Sequence, residues 1–357
     1  MGKRTGNSWQ EMKKDHITLD KLIEHFRLFN RSENKSARTV QWYDETLKLF
    51  LQWLKNGGRS TRLGDIGIHS IREFIIDQQD KRIKHENHPF APPEPGKLSS
   101  HTIQSRVRAL RSFFHWLNRE GYTRNHVLEG LKVPRVQRNL VEILTEEEIK
   151  AVLGVLDRDV ASGARNHAIL WTLLDTGLRC SELTGLGCED THLEEGYLRV
   201  LGKGNKERVV PLGVNGQRIL LRYREHFRPQ PQSATITQFF LSLDGRPLTP
   251  NSVLQILHRL GKRAGVTRLH PHLLRHTFAT RFLINGGDVF TLQRILGHTT
   301  LSMVNHYVQL ASSHVVIQHR RYSPMDAMAV DRHRRVAVRK NKIQPAKVAR
   351  TRLALVK

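Results

Sequence analysis

The sequence predicts a mainly α-helical protein of two domains: a helical N-terminal module, then a mixed α/β, mostly helical domain holding a small β-hairpin sheet. Three observations predict it. Apolar residues recur at helical spacing in several long segments, and one stretch near residue 200 alternates polar and apolar positions. The 357 residues are also enough for two cores, with a linker-like stretch between them.

The N-terminal module is expected over residues 16–131. From Ser36 to Leu54 the apolar positions are Val40, Tyr43, Leu47, Phe50, Leu51 and Leu54, a helical stripe. Pro89 to Gly96 contains four prolines and is expected to be a loop, because proline removes a helical donor and clashes with the preceding turn. Ser100 to Leu117 repeats the stripe with Ile103, Val107, Leu110, Phe113, Phe114 and Leu117, and Ser99 or Ser100 is placed to cap it. Arg106, Arg108 and Arg111 are expected to form a basic face opposite that core, facing either DNA or solvent, with DNA favoured by the charge of the whole chain. Residues 132–142 have linker character. The second domain is expected over 143–322 and opens at Thr145, which with Glu148 makes a capping box whose carboxylates complement the helix dipole. Tyr197 to Leu201 alternates, Gly202 to Lys206 turns, and Arg208 to Pro211 returns, predicting the hairpin. Helices are expected around Asn251–Ala264, His272–Asn285, Asp288–Leu296 and Ser302–Leu310.

A formal net charge of +25 and a pI near 10.6 create a field that favours a polyanion, of which nucleic acid is the common one. Residues 311–357 carry twelve Lys or Arg against two Asp, and 323–357 reads as a flexible basic tail that grips phosphates or serves solubility alone. With 38% hydrophobic residues, a mean hydropathy of −0.47, no run of roughly 18 apolar residues and a polar start, the chain is expected to be a soluble cytoplasmic protein with no membrane association. Its two cysteines, Cys180 and Cys188, make neither a disulfide framework nor a zinc pattern.

Five separated fragments carry chemistry: Thr176-Gly177-Leu178-Arg179-Cys180-Ser181-Glu182-Leu183, Gly202-Lys203-Gly204-Asn205-Lys206, His272-Leu273-Leu274-Arg275-His276, Leu296-Gly297-His298, and Tyr307. Transesterification of a phosphodiester needs a nucleophile, an acid for the departing oxygen, and cations for the non-bridging oxygens. Guanidiniums match phosphate bidentately, which selects Arg179 and Arg275. Lys203, at a hairpin tip and with an ordinary pKa near 10.4, is charged and suited to proton donation, while Lys206 and Arg208 are expected at backbone phosphates. Glu182 follows Arg179 at i+3, where it can orient Arg179 or form a simple surface pair. His272 and Arg275, also i and i+3, point to one side; His276 is the weaker candidate, for packing or a hydrogen bond. Tyr307 is the candidate nucleophile, with guanidiniums and an imidazole expected to favour its phenolate. His298 converges with it if Gly297 ends one helix and Thr299 or Thr300 caps another. A zinc reading of the histidines is disfavoured, since Arg275 among them would repel a dication.

These fragments, in this order, resemble the tyrosine recombinases, the phage integrases and Xer-type enzymes, over roughly residues 16–322. The resemblance implies an N-terminal SAM-like core-binding domain, a tyrosine-recombinase catalytic domain, and Arg179, Lys203, His272, Arg275, His298 and Tyr307 as catalytic residues. It implies site-specific recombination of double-stranded DNA through a 3′-phosphotyrosyl link, with no cofactor, ATP or metal. It also implies a homo-tetramer on DNA with C-terminal segments exchanged between protomers, for which Val315, Val316 and Ile317 are the anchors, and an accessory recombinase or directionality factor as a possible partner. A type IB topoisomerase, a non-catalytic DNA-binding regulator and, more remotely, a metal-dependent nuclease stay open as alternatives.

Overall fold

The computed structural model describes residues 14–81, 83–84, 93–134, 142–202, 206–298, 300, 301, 304, 307, 319 and 323. The chain divides into two compact units, Met1–Asn139 and Leu140–Lys357, each with its own apolar core.

In the first unit, α1 (Leu19–Ser32), α2 (Ala37–Asn56), α3 (Ile68–Asp80) and α4 (Ser100–Arg119) pack their apolar stripes together. Ser36 and Ser99 are the caps of α2 and α4, their hydroxyls accepting from the amides of Thr39 at 3.3 Å and Thr102 at 3.1 Å. Rings fill the centre, with Phe26 edge-on to Phe113 at 5.3 Å and Phe50 edge-on to Phe74 at 5.2 Å. The proline-rich stretch excludes helix, but its described end is not merely loop: β1 (Ile83–Lys84) pairs antiparallel with β2 (Glu94–Pro95). A two-stranded ladder has only edges, where proline is tolerated.

One expectation for α4 is corrected. Arg106 does not share a face with Arg108 and Arg111; at about 100° per residue it lies roughly 140° or more around the helix from both. It is half-buried, donates to Gln78 of α3, and burial lowers its pKa. Arg108 and Arg111 are exposed.

The second unit opens with α5 (Glu146–Gly154), capped as expected: the Thr145 hydroxyl accepts from the Glu148 amide at 3.2 Å, and Glu148 accepts from the Thr145 amide at 2.8 Å. The largely buried α6 (Ala161–Thr176) and the short α7 (Cys180–Gly185) follow. The sheet has three antiparallel strands in sequential order, β3 (Thr191–His192), β4 (Tyr197–Leu201) and β5 (Glu207–Pro211). Two residues are too few to show alternation, which is why β3 adds to the expected hairpin. Leu198 and Val200 face the core, while Arg199 and Leu201 face out. α8 (Val214–Arg222) runs into a π-helical turn, and α9 (Pro250–Arg263), α10 (Pro271–Ile284) and α11 (Val289–Leu296) complete the unit. Within the helix expected at 302–310, the described residues are Val304 and Tyr307, both buried and joined by the Tyr307 amide donating to the Val304 carbonyl at 2.8 Å. Val315, Val316 and Ile317 and the tail from 324 lie outside the described residues. No helix among those described is long and apolar enough to cross a membrane.

Candidate active site

Two helix ends create the site. α6 ends at Gly177 (φ +62°) and α11 at Gly297 (φ +63°), both left-handed conformations that glycine adopts without strain. At Gly177 space demands glycine as well, because a Cβ would run into the Phe278 ring and Leu296. Both ends turn carbonyl oxygens toward Arg275, which α10 carries in its second turn. Arg275 is 4% exposed; its Nη1 donates to the Gly177 carbonyl at 2.6 Å and its Nη2 to the Leu296 carbonyl at 2.9 Å. Helix C-terminal carbonyls carry partial negative charge, so this guanidinium is buried where the backbone compensates it.

Arg275 Nη2 also donates to His298 Nε2 at 2.8 Å. A guanidinium cannot accept, so His298 Nε2 is the acceptor and Nδ1 carries the proton, buried without a partner. Burial lowers the Arg275 pKa to about 10, with Arg179 adding to the effect, and Arg275 stays charged at neutral pH. Burial and the Arg275, Arg179 and Arg208 cations push His298 down to about 4, so its imidazole is neutral.

Arg179 is the residue just before α7, and Glu182 sits three positions inside it. The Arg179 amide and Nη1 both donate to the Glu182 carboxylate, at 2.8 and 2.7 Å. From β5, Arg208 adds a bidentate pair at 2.9 Å for each oxygen, and its Nε donates to the Ile295 carbonyl at 2.8 Å. Burial alone would raise the Glu182 carboxyl, but the Arg208 and Arg179 hydrogen bonds hold it at about 2. Arg208 was expected at a DNA phosphate; with three nitrogens engaged and 12% of its side chain exposed, it braces Glu182 instead. Arg179 is 31% exposed, and among the described residues its Nε and Nη2 carry no hydrogen bond, leaving them for an anion.

Tyr307 is 5% exposed, and its hydroxyl lies 2.9 Å from His276 Nδ1, within the electrostatic reach of Arg275. Neighbouring cations do favour the phenolate, as expected, but they do not decide the outcome. Burial is the larger influence and raises the Tyr307 pKa, against Arg275 and Arg179, which lower it. The site thus holds a phenol.

The structure brings the candidates together as three bonded groups: Arg179 with Glu182 and Arg208, Arg275 with His298, and Tyr307 with His276. Arg179 and Arg275 lie close enough to act electrostatically on Tyr307. His272 stands at their edge, open to solvent on one side; partial desolvation of its ring, then Arg275, His270 and Arg179, lower its pKa, and its ring lies 6.3 Å from that of His276. Lys203 lies outside the described residues. On either side of it, Gly202 donates to the Lys206 carbonyl at 2.8 Å, and Lys206 is exposed. His276, expected to pack or hydrogen-bond, bonds to Tyr307, and Arg208 faces Glu182 rather than a phosphate. For Arg208 a signal existed: it shares the strand parity of the buried Val210 and so faces inward. For His276 none did, because its partner lies 31 residues away.

The same shifts set an acid limit on stability. The folded protein resists protonating His298, whereas an unfolded histidine binds a proton from about pH 6.5 down. Glu182, depressed from about 4.5 to about 2, adds stability that is full above 4.5 and lost toward 2. Thermal melts are therefore expected to show Tm falling as pH drops from about 6.5 to 4, and further toward 2.

Known proteins supply the family. Residues 142–314 match the phage integrase family, and residues 23–121 the phage integrase N-terminal SAM-like domain. The chain is 30% identical over 303 residues to the tyrosine recombinase XerC of Oceanobacillus iheyensis, covering 84% of this chain and 93% of that one. It shares its fold with the Tn1549 transposon integrase in complex with transposon right-end DNA, at TM-score 0.65 and 20% identity over 82% of this chain and 94% of that one. A lambda integrase tetramer bound to a Holliday junction has TM-score 0.62 and 17% identity, covering 83% of this chain and 78% of that one. With its phenol, guanidiniums and imidazoles gathered at one place, the chain belongs to the phage integrase family, the tyrosine-type site-specific recombinases.

Proposed function

We propose that this protein recombines double-stranded DNA at specific sites by direct transesterification at Tyr307. The observation that carries the reading is the Tyr307 hydroxyl, bonded to His276 at 2.9 Å and set in the field of the Arg275 and Arg179 guanidiniums. Tyr307 Oη forms a bond to phosphorus as the phosphorus–O5′ bond breaks. His276 Nδ1 takes the phenol proton, and Lys203 gives a proton to the departing 5′ oxygen. The free nitrogens of Arg179, together with Arg275, neutralise the non-bridging oxygens, and His272 borders the same phosphate. His298 joins them once the phosphate displaces its imidazole from Arg275. A 5′ hydroxyl from the partner strand reverses the step, and the conserved ester energy makes ATP and metal unnecessary.

The helical unit contributes Arg108 and Arg111 to the duplex, and Lys206 contacts a backbone phosphate. Four protomers act together, as lambda integrase does in the tetramer on a Holliday junction. Each passes its C-terminal segment to a neighbour, where it docks in a groove of about 640 Å3 lined by Ile149, Leu153, Trp171, Leu174, Phe278 and Phe282. The reaction takes place in the cytoplasm, on the nucleoid.

The test uses duplexes selected from a random library by binding, nicked beside the exchange point so that the cut end diffuses away. A covalent protein–DNA adduct is expected with EDTA present and ATP absent; cleavage only with added metal would overturn the reading. His276→Gln keeps a hydrogen bond without taking the proton and is expected to slow adduct formation about 100-fold, as measured by single-turnover rates. A 5′-phosphorothiolate substrate, whose leaving group needs no acid, should not rescue that variant.

A further inference from the structure

Away from the active site, a cavity of about 330 Å3 lies in the catalytic unit beside α6 and α8, lined among others by Arg158, His167, Trp171, Asn215, Arg218 and Arg222. It shares no residue with the Arg179–Arg275 cluster. Its charge is unbalanced. Arg222 pairs with Asp159 at 2.8 Å and lies over the Phe227 ring at 5.1 Å, but Asp159 is itself largely exposed. Arg158 and Arg218 have no carboxylate partner among the described residues. His167 is 6% exposed, and its Nε2 is buried with no hydrogen-bond partner. Its ring meets Trp171 edge-on at 5.8 Å, so one wall of the cavity is aromatic.

Arg158 and Arg218 are exposed guanidiniums at the mouth of this space with no carboxylate between them, and their planar donors match the oxygens of a phosphate. A buried imidazole nitrogen without a partner is a second deficit of the same kind, met by an acceptor oxygen. The volume lies at the lower end of the range for small-molecule sites, and an indole wall stacks with any base. We propose that this cavity is a second phosphate site, seating a phosphate brought either by a free mononucleotide or by a DNA strand. Arg158 and Arg218 grip the phosphate, Asn215 and His167 add hydrogen bonds, and Trp171 receives the attached ring. His167 supports the assignment electrostatically: burial, then Arg158 and Arg222, hold it at about 4, and an anion between those cations would raise it.

The test follows the His167 imidazole in the full-length chain by NMR with nitrogen-labelled histidine, the signal being assigned by its loss in His167→Gln. Inorganic phosphate, adenosine monophosphate and a short duplex are titrated separately, against sodium chloride at matched ionic strength. Saturable movement of the His167 signal and a rise in its pKa are expected with phosphate, and an affinity about tenfold or more weaker in the Arg158→Gln/Arg218→Gln variant. Tighter saturation by the mononucleotide identifies a free ligand; saturation by the duplex alone identifies a strand phosphate. Adduct formation by that variant at saturating duplex, with no mononucleotide added, should be unchanged, which separates this site from the chemistry at Tyr307. A His167 signal that follows ionic strength alone in the wild-type chain overturns the proposal, and that titration decides even if the double variant fails to fold.

Discussion

Tyr307→Phe is expected to abolish covalent adduct formation, lowering it by about 1,000-fold or more, while duplex affinity stays within about twofold. Phenylalanine keeps the ring that packs with Ala279, Leu283, Leu292, Leu296 and Val304, so the local core survives. It removes the hydroxyl that the proposed mechanism uses to attack phosphorus. Affinity should be preserved because the proposed phosphate contacts, Arg179, Arg275 and the exposed basic residues, are untouched. A gel-shift assay beside adduct trapping reads both quantities on one preparation. Tight binding with an undiminished adduct would remove Tyr307 from the nucleophile's role.

Glu182→Gln is expected to cost about 3 kcal/mol, since removing one partner of a buried ionic cluster leaves its cations uncompensated. The wild-type carboxylate is 5% exposed and touches Arg179 and Arg208 together, and both lie in the field of Arg275. Tm should fall by roughly 6–12 °C, a span set by the size of the catalytic unit. The part of the acid-induced Tm loss between about pH 4.5 and 2 should shrink in the variant, because the depressed carboxyl that produces it is gone. Cleavage should slow about 100-fold as Arg179 loses its orientation, and Glu182→Asp should recover part of it. Calorimetry over pH separates this account from a general loss of packing, which would lower Tm by a similar amount at every pH.

What the sequence made legible was local and periodic. The stripes of α2 and α4, the Ser99 and Thr145 caps, the alternation of β4 and the breaks at Gly177 and Gly297 all follow from spacing and residue type, and each stands in the structure. The order of Arg179, Arg275, His298 and Tyr307 pointed to one cluster because their chemistry is complementary. What stayed hidden depends on depth and on partners distant in sequence. Nothing local shows that Arg106 turns to Gln78, or that His276 meets Tyr307. The net direction of the Tyr307 pKa is hidden for the same reason: cations can be counted in a sequence, but the burial that outweighs them cannot.

The central claim is that the hydroxyl of residue 307 becomes covalently joined to DNA. The most direct measurement is mass spectrometry of the trapped wild-type adduct after nuclease and protease digestion. A nucleotide mass on the peptide containing Tyr307, attached through a 3′ phosphate, is the expected result. The same mass on a peptide holding another tyrosine, such as Tyr197 or Tyr223, would contradict the account.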